Sequence, residues 1–429
     1  MGIRLFLNRR VALNQMHLGL QAPVSPPKSG GAFTFEWDTF NSILRVANSR
    51  GNKVTVFGGY DAPNQVINSG GYSWVTLDKT ASKLDYVKSR FKKIPGFRAC
   101  SRSIRALHSC MYGSNSSPYD EVNQKVLSAG VDFFIHIRPF LACNVVPYST
   151  VVWDLEHRRI PFFPELSING EWELREKQYA EVLPRASVVV TGTNVGKEQL
   201  ERFYGLASER IVVLPHPTPS DCFQSHTFRT AEKKRDDFLL YPAQFWPHKN
   251  HIVILRALSY LANELKIIKR VCFTGSDHGN YKFVVEEANR LGVIDQVDFA
   301  GFVSRAELIQ LYDKASALVY TSYGGPENLP PLEAFARGCP VIAADIPGAR
   351  EQLGKAASLV NPCDHIALAK SIVMITENEA CRVRLIEDGY TRASKWTSDM
   401  YAKGLISEIT QIGLHMECWR KISHSRPTN

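Results

Sequence analysis

The chain lacks several patterns that mark particular classes of protein. No apolar window reaches the roughly 18 residues that a membrane-spanning helix needs, so none is expected. The opening residues, MGIRLFLNRRVAL, have neither a long apolar core nor a small-residue cleavage site, and a signal peptide is not expected. The nine cysteines are scattered without a Cys-x-x-Cys pair. Such usage fits reduced thiols in a cytosolic protein better than a disulfide framework or a zinc site.

The composition is that of a globular protein, but the charge is uneven. The 429 residues are 44% hydrophobic and 22% charged, and this length favours two domains. The net charge of +9 is concentrated in the first half, above all in residues 79–105, where Asp85 is the single acid. That segment is either a solvated face or, because apolar residues lie among its charges, a surface for an anionic membrane or acceptor. Nucleic acid is less favoured, because no recognised binding motif accompanies the charge.

Strand-like apolar segments alternate with helical segments, which is typical of parallel sheets. Two such series flank the polar, proline-bearing residues 217–236, which have the composition of a linker. The prediction is an α/β protein with two doubly wound domains, 1–216 and 237–394, that face each other across a ligand cleft. A last helix is expected within 395–412, followed by a polar tail that ends at residue 429.

In the first domain, a long loop with Gly30 and Gly31 is expected to join the first strand to a helix that begins near Phe35. Thr193 is expected to cap a later helix. The predicted strands of this domain are Ile3–Leu7, Lys53–Phe57, Asp132–His136, Ser149–Trp153, Ser187–Thr191 and Ile211–Leu214. Those of the second domain are Phe238–Tyr241, Arg270–Thr274, Gln296–Phe299, Ala317–Tyr320, Pro340–Ala343 and Ser358–Val360.

The most informative segment is residues 322–348, SYGGPENLPPLEAFARGCPVIAADIPG. A strand leads through a glycine-bearing loop into a helix with Pro330 and Pro331 in its first turn, where proline is tolerated. The helix N-terminus suits an anion such as phosphate. Glu333 lies one turn further on, where a carboxylate would be unfavourable unless it bound something else, such as sugar hydroxyls. The segment therefore predicts a pocket for a phosphate joined to a polyol.

A second constellation, residues 241–251, runs from a strand end into a helix. Lys249 could neutralise a phosphate there and Gln244 could donate hydrogen bonds to it, although a lysine at a helix start can also simply face solvent. His248 and His251 have the spacing of a metal-binding pair. No third ligand is nearby, so solvent-exposed or supporting imidazoles are the favoured interpretation.

Together these motifs resemble the retaining GT-B glycosyltransferases of family 4, which build bacterial cell-surface polysaccharides such as lipopolysaccharide. WPHKNH at 246–251 and GPENLPPLEAFARGCPVIAADIPGAREQLG at 325–354 have the order and spacing of that family. VDFAGFV at 297–303 is similar to its nucleotide-base strand and loop. WDLEHRRIP at 153–161 is similar to a motif of its acceptor domain. The resemblance is dense from about residue 150 to 365 and thin before 130.

The resemblance implies a nucleotide-sugar donor on the second domain, an acceptor on the first and a final helix that crosses back to the first domain. Lys249 matches the lysine that binds the donor diphosphate, and Glu333 matches the glutamate that holds the ribose hydroxyls. With His157 of the acceptor motif, these two are the predicted catalytic residues. The other predicted donor-binding residues are Gln244, Gly275, Phe302, Val303, Gly325, Pro326, Glu327, Asn328 and Leu329.

Two positions depart from the family pattern. Eight residues before Glu333, where the family carries a first glutamate, this chain has Gly325. Glu327 could partly substitute, or backbone N–H groups could bind the sugar instead. Gln244 stands where many members carry arginine, and a neutral donor attracts a diphosphate less strongly than a guanidinium. The donor sugar and base, and the acceptor, therefore stay open.

On the acceptor side, Asp154, His157 and Arg158 could orient or bind an acceptor; a packing role for His157 is the less favoured alternative, and Arg158 could instead face solvent. Gly30 and Gly31 could let the backbone approach a ligand or simply form a turn. No cofactor and no metal is expected, since Lys249 and the helix N-terminus can stabilise the leaving diphosphate and the chain has no Asp-x-Asp motif.

The function that the resemblance implies is transfer of a sugar from a nucleotide diphosphate to a glycan or lipid-linked acceptor with retention of configuration. The expected location is cytoplasmic, with possible contact to the inner face of the plasma membrane. Two alternatives stay open. One is a GT-B epimerase or phosphorylase, and the other is a non-catalytic nucleotide-sugar-binding module, which the missing first glutamate at Gly325 suggests.

Overall fold

The computed structural model describes residues 15–26, 30–59, 71–77, 120–223 and 235–423, without the side chains of 417–423. The predicted strand Ile3–Leu7 and the basic segment 79–105 lie outside the described residues. The described strands form two sheets, and all their pairings are parallel. Helices follow most of the described strands and return the chain to the start of the next one, which is the doubly wound α/β arrangement.

The first sheet has the strand order β3-β2-β1-β4-β5-β6-β7. Its strands are β1 His17–Gln21, β2 Lys53–Gly58, β3 Tyr72–Thr76, β4 Phe133–Ile135, β5 Tyr148–Val151, β6 Val188–Thr191 and β7 Ile211–Val213. The second sheet has the order β10-β9-β8-β11-β12-β13. Its strands are β8 Asp236–Pro242, β9 Arg270–Thr274, β10 Val297–Gly301, β11 Ala315–Tyr320, β12 Val341–Ala344 and β13 Ala357–Val360. All six strands predicted for the second domain are thus confirmed.

Within the first domain the described helices are α1 Gly31–Ser49, α2 Asp120–Ser128, α3 Glu156–Arg159, α4 Pro164–Ser167, α5 Glu171–Val182 and α6 Asn194–Tyr204. Those that follow are α7 His251–Asn263, α8 Tyr281–Arg290, α9 Arg305–Lys314, α10 Leu329–Ala336, α11 Ala349–Leu353, α12 His365–Glu377, α13 Glu379–Lys395 and α14 Ser398–Ser423. In the part of the chain that the structure describes, no helix combines the length and the apolar character that crossing a bilayer requires.

The first described strand corrects one expectation. Residues 17–21 were expected to belong to a long loop, yet they form β1, which pairs with both β2 and β4. Gly19 in the middle of this five-residue strand hides the pattern of a strand. A side chain cannot replace it, because a Cβ there would lie 2.7 Å from the ring of Phe134 on β4. Helix α1 also begins four residues earlier than expected, at Gly31 instead of Phe35.

The final helix connects the two halves of the molecule. Helix α14 begins at Ser398 and packs along α1 of the first domain. Just before it, the indole N–H of Trp396 donates to the carbonyl of Pro215 at 2.7 Å. The helix continues to Ser423, beyond the expected end near residue 412, so part of the predicted polar tail is helical. Thr218 of the linker pairs with Thr397, so the linker and the start of this helix lie side by side.

Both sheets reverse the direction of strand addition at one point, between β1 and β4 in the first and between β8 and β11 in the second. Loops at such a point diverge to opposite faces of the sheet and leave a crevice at the carboxyl ends of the strands. The segments Gly30–Gly31, 242–249 and 321–329 lie at these positions. The topology alone therefore brings the segments singled out in the sequence toward one region.

Thr193 caps helix α6 as expected, with its hydroxyl accepting from the backbone N–H of Gly196 at 3.0 Å. We expect Thr193→Ala to destabilise the chain by about 1 kcal/mol, because the helix loses one of its capping acceptors. Hydrogen exchange at the Gly196 amide, together with urea unfolding, measures this effect. Thr193→Ser keeps the oxygen and is the control. Equal exchange at Gly196 in the Ala variant and the native protein would contradict the assignment.

Candidate functional site

A cleft of about 680 Å³ lies between the two sheets, at the carboxyl ends of their strands. Its first-domain wall consists of the start of α1 together with Trp153 and His216. Residues 219–221 of the linker also contribute. The second-domain wall comes from residues that end or follow β8, β9, β10 and β11. The site is therefore an interdomain cleft built by crossover loops, as expected for doubly wound sheets.

The structure brings together most of the residues predicted to bind the donor. Those that line the cleft are Gln244, Lys249, Gly275, Phe302, Val303, Glu327, Asn328, Leu329 and Glu333. Gly30 and Gly31 line the opposite wall, and a Cβ on Gly31 would lie 3.7 Å from the Leu329 side chain. Gly325 and Pro326 line a separate small cavity behind the loop instead. The first-domain glycine turn thus abuts the start of α10.

Lys249 supplies a positive charge to the cleft. It ends a short 3₁₀ helix, and the next residue, Asn250, adopts a left-handed backbone with φ 55°. The lysine Nζ lies 3.4 Å from the hydroxyl of Tyr320 and 3.5 Å from that of Ser322. Among the described carboxylates, none forms an ion pair with this ammonium group. A cation with only neutral neighbours in a cleft is suited to an anionic ligand.

Gln244 lies beside Lys249 in the cleft, and its amide is oriented by a neighbour. The indole N–H of Trp246 donates to Gln244 Oε1 at 3.0 Å. Because indole nitrogen is only a donor, the oxygen of the amide must face Trp246, and the NH₂ group points the other way. The Trp246 ring is itself held by stacking on His278 at a centroid distance of 4.1 Å. Trp246 therefore holds the amide oxygen of Gln244 and sets the plane of the amide.

The N-terminus of α10 reaches the cleft with fewer N–H groups than an ordinary helix offers. Leu329 is its first residue, and Pro330 and Pro331 follow, neither of which has a backbone N–H. The Asn328 N–H donates to the side chain of Gln352 at 3.0 Å. The dipole of α10 still places partial positive charge at this end. Anion binding there depends more on Lys249 and Gln244 than the sequence pattern indicated.

Glu333 is buried, at 3% exposure, and its carboxylate is held from two sides. Arg305 donates to Oε1 at 2.6 Å, and the hydroxyl of Tyr312 donates to Oε2 at 2.7 Å. The Arg305 guanidinium also makes two hydrogen bonds to Asp221, both at 2.7 Å. The sequence did not predict this arginine, which compensates the charge that made Glu333 appear unfavourable beside an anion.

Glu327 lines the cleft but is directed at the first domain. Its carboxylate accepts from the backbone N–H of His216 at 2.7 Å. A Cβ on Gly192 would lie 1.2 Å from Glu327 Oε2, so only glycine leaves room for this carboxyl group. The carboxyl group thereby connects the loop before α10 to the first domain, and its orientation, which the sequence left open, is set by that contact.

The geometry also explains why no glutamate occupies position 325. Gly325 has φ +94°, a region that side chains rarely adopt, and a Cβ there would lie 2.8 Å from Asn328 Oδ1. The Asn328 side chain in turn donates to the Gly325 carbonyl at 2.9 Å. This loop is therefore built around a glycine, and a glutamate at the family position would require a different backbone.

Three of the predicted acceptor-side residues are not brought to the cleft. His157 is fully buried, with Nε2 at 2.8 Å from Glu176 of α5. Arg158 pairs with the same Glu176, and Asp154 accepts from Arg175 at 3.0 Å. These contacts tie α3 to α5 and turn the polar groups away from the cleft. Their positions favour a structural role, which the sequence allowed as an alternative for His157 alone; Arg158 was expected either to meet an acceptor or to face solvent.

Aromatic residues of the first domain line the cleft and were missed in the sequence. Phe33 and Trp37 lie on the first two turns of α1, and Trp153 follows β5. The Trp153 indole nitrogen is buried without a hydrogen-bond partner among the described residues. The predicted helix began at Phe35, so Phe33 fell within the expected loop. The clustering depends on tertiary contact between α1 and the end of β5.

The two histidines of WPHKNH are separated in the structure. His248 donates through Nδ1 to the carboxylate of Glu165 of the first domain at 2.5 Å. His251 is fully buried, and its ring stacks on Phe245 at 4.5 Å. The expectation of an exposed or supporting imidazole is therefore wrong for His251, because the start of α7 packs it into an aromatic core. Within the described ranges, no three His, Cys, Asp or Glu side chains are grouped to hold a metal ion.

Two doubly wound parallel sheets that face each other across a cleft define the GT-B architecture. The solved structure of WaaG, a glycosyltransferase involved in lipopolysaccharide biosynthesis, superposes with a TM-score of 0.61 at 16% identity. The match covers 92% of this chain and 99% of that one. The fold of this chain is therefore that of GT-B glycosyltransferases.

Sequence comparison finds glycosyltransferases that are similar to parts of this chain. Residues 223–392, which contain the whole second sheet, match the family described as glycosyl transferases group 1. The O-antigen chain mannosyltransferase RfbU of Salmonella typhimurium strain LT2 is 31% identical over 208 residues, 47% of this chain and 56% of that protein. O-antigen chain mannosyltransferase B of Escherichia coli is 24% identical over 247 residues, 54% and 63% of the two chains. The match thus spans a little over half the length of these relatives.

Glu327 introduces a pH dependence into this site. Burial, and then the nearby charge of Glu351, raise its pKa from 4.5 to about 8, although the His216 N–H acts in the opposite direction. Between those pH values the folded chain keeps a proton that the unfolded chain releases, so stability falls as pH rises through this window. Burial lowers the pKa of the neighbouring His216 side chain to about 4, which keeps it neutral throughout.

We expect Glu327→Gln to flatten this pH dependence, because the amide keeps the shape of the protonated acid and does not ionise. Melting temperatures measured from about pH 5.5 to about pH 8 should fall more steeply in the native protein than in the variant. Glu264→Gln, at an exposed position, is the control and should follow the native curve. Parallel curves for the native protein and Glu327→Gln would show that Glu327 is not protonated in the fold.

Proposed function

We propose that this protein is a glycosyltransferase that moves a hexose from a nucleotide-diphosphate sugar to a glycan or lipid-linked acceptor in cell-surface polysaccharide biosynthesis. The observation that supports this most directly is Lys249, a cleft lysine that has no described carboxylate partner and lies opposite the start of α10. The match of residues 223–392 to group 1 glycosyl transferases, and the O-antigen mannosyltransferase relatives, support the reaction class.

Lys249 and the Gln244 amide would stabilise the diphosphate of the donor. Both line the cleft, and Trp246 orients the amide NH₂ away from itself. The dipole of α10 adds partial positive charge at Leu329. As the glycosidic bond breaks, negative charge grows on the leaving diphosphate, and preorganised donors lower the barrier by stabilising that charge. We propose that these groups take the place of a metal ion.

The nucleoside would lie against the loop after β10. Phe302, 48% exposed at the mouth of the cleft, and Val303 can contact the base. Glu333, deeper in the cleft, can accept hydrogen bonds from the ribose hydroxyls. Each of its oxygens accepts one hydrogen bond from the protein and retains acceptor capacity for a ligand.

The donor sugar would lie over the loop that precedes α10. No side chain at Gly325 can reach it, and Glu327 is engaged with His216, so backbone groups of this loop are the available partners. We propose retention of configuration, with the leaving phosphate accepting the proton of the acceptor hydroxyl on the same face of the sugar. The relatives make a mannosyl donor the first to test.

The acceptor would occupy the first-domain side of the cleft. Phe33 and Trp37 offer apolar faces on which a sugar ring can stack, and the Trp153 N–H can donate to a hydroxyl. Gly30 and Gly31 let the backbone approach the ligand. These residues replace Asp154, His157 and Arg158 as the proposed acceptor contacts. A cytoplasmic location stays a prediction. Contact of residues 79–105 with an anionic membrane surface also stays a prediction, because that segment lies outside the described residues.

Lys249→Ala should abolish most of the thermal protection that the matching nucleotide-sugar gives. A hydrogen bond to a charged group contributes about 1.5–3 kcal/mol, so the Kd should rise about 10- to 100-fold. A thermal-shift screen over GDP-, UDP- and dTDP-sugars identifies the donor, and titration of both proteins gives the ratio. Lys282→Ala, on an exposed helix of the same domain, is the control. Undiminished protection in Lys249→Ala would mean that the diphosphate binds elsewhere.

Turnover with the identified donor tests the reaction itself. We expect a lipid-linked or oligosaccharide acceptor to be glycosylated at an unchanged rate in EDTA, with the anomeric configuration of the donor kept in the product as read by NMR. A rate that falls in EDTA and returns with a divalent cation would refute metal independence. Epimerisation of the donor without an acceptor would favour the epimerase alternative, and binding without any turnover would favour a binding module.

A further inference from the structure

Arg305 connects three parts of the chain through its guanidinium group. Nε and Nη2 bond the two oxygens of Asp221 at 2.7 Å each, which is a bidentate fork. Nη1 bonds Glu333 at 2.6 Å. Asp221 lies in the linker between the domains, and Glu333 lies on α10. Arg305 itself follows the loop after β10, so its guanidinium joins the linker, this loop and α10.

Arg305 stands at the N-terminus of a helix, a position that does not favour a positive charge. It is the first residue of α9 and lies between Ser304 and Glu307, the two residues of the capping box. A cation at a helix N-terminus opposes the helix dipole, so this position is electrostatically unfavourable for an arginine. The two carboxylates offset that cost. An arginine at this position is therefore explained by its bonds to Asp221 and Glu333, and not by the stability of α9.

The orientation of Glu333 depends on this arrangement. Its carboxylate is buried, and an isolated charge there would be strongly disfavoured. Arg305 and Tyr312 each donate to one oxygen, and together they fix the plane of the carboxylate. The directions of its remaining lone pairs are fixed with it. Asp221 in turn fixes the plane of the guanidinium, because both of its oxygens are engaged by the fork.

We propose that Arg305 and Asp221 are positioning residues that aim Glu333 at the ribose hydroxyls, and that they set the preference of the cleft for ribonucleotides over 2′-deoxyribonucleotides. This inference rests on the proposed function, since it assigns a nucleoside to the cleft. It adds a role for the linker: Asp221, which lies outside both sheets and lines the cleft, would act on nucleotide recognition through Arg305 and Glu333.

A second arginine provides a matched control. Arg337 makes the same bidentate fork, to Asp313 at 2.8 and 2.6 Å, and also bonds the carbonyl of Cys222 in the linker at 3.1 Å. It is buried, but it does not line the cleft. Substitutions at Arg337 and Asp313 therefore disturb an equivalent ion pair near the linker while leaving Glu333 with its partners.

The experiment measures the Kd of UDP, GDP and their 2′-deoxy forms by calorimetry. For the better-bound base, the native protein should prefer the ribose form about tenfold, since a missing hydroxyl leaves Glu333 with an unmet partner. Arg305→Lys keeps the charge but not the fork, so it should still bind the diphosphate while the preference falls below about threefold. Asp221→Asn should lower the preference in the same direction. Arg337→Lys and Asp313→Asn should keep it.

The outcomes separate this inference from the proposed function. If the native protein binds none of the four nucleotides and no nucleotide-sugar of the thermal-shift screen, the proposed function fails and the inference with it. If it binds a dTDP-sugar but none of the four nucleotides, the inference alone is overturned. If it binds them but the preference is absent, or is unchanged in Arg305→Lys and Asp221→Asn, the inference alone is overturned. Should Arg305→Lys fail to fold, Asp221→Asn decides, because its carboxylate is 38% exposed and its removal leaves the Arg305–Glu333 pair in place.

Discussion

The parallel pairing of the strands is the constraint on which the rest of this structure depends. In the described part of the chain every strand pairs in parallel, so each must be followed by a crossover that returns the chain to the same end of the sheet. All the loops that carry function then leave from one edge. Because the two sheets present those edges to each other, residues as distant in sequence as Gly31 and Leu329 come into contact.

The cleft that results holds more carboxylate than an anion site would tolerate without compensation. Glu333 is paired with Arg305, Asp221 with the same arginine, and Glu327 is protonated up to about pH 8 because burial raises its pKa. Lys249 is left with neutral neighbours among the described residues. Lys249 therefore supplies the positive charge at the proposed diphosphate position, while Glu333 and Asp221 are both held by Arg305.

Contacts between the domains use the same residues that line the cleft. Glu327 reaches the His216 N–H, and Glu351 of α11 accepts from the first two N–H groups of α6 at 2.7 and 3.0 Å. A carboxylate at a helix N-terminus is favourable because it satisfies N–H groups that have no partner inside the helix. The loop before α10 is thus held by the first domain, and the same few contacts would set the proposed donor and acceptor positions relative to each other.

Residue pattern alone predicted the parts that depend on local physics. Alternating apolar segments predicted the second sheet strand by strand, Thr193 was predicted as a cap, and the proline-led helix with Lys249 and Glu333 indicated a phosphate-and-polyol pocket.

The pattern missed β1, because Gly19 is required by the ring of Phe134, a neighbour 115 residues away in the chain. It could not assign directions to buried polar groups: Glu327 points at Gly192, His157 at Glu176, and Glu333 at Arg305. The strands of the second domain and the Thr193 cap could be read from the residue pattern because periodicity and helix termini are local. Which carboxylate is paired, protonated or left to meet a ligand was decided only by the tertiary structure, because charge compensation in a buried site depends on partners brought from distant parts of the chain.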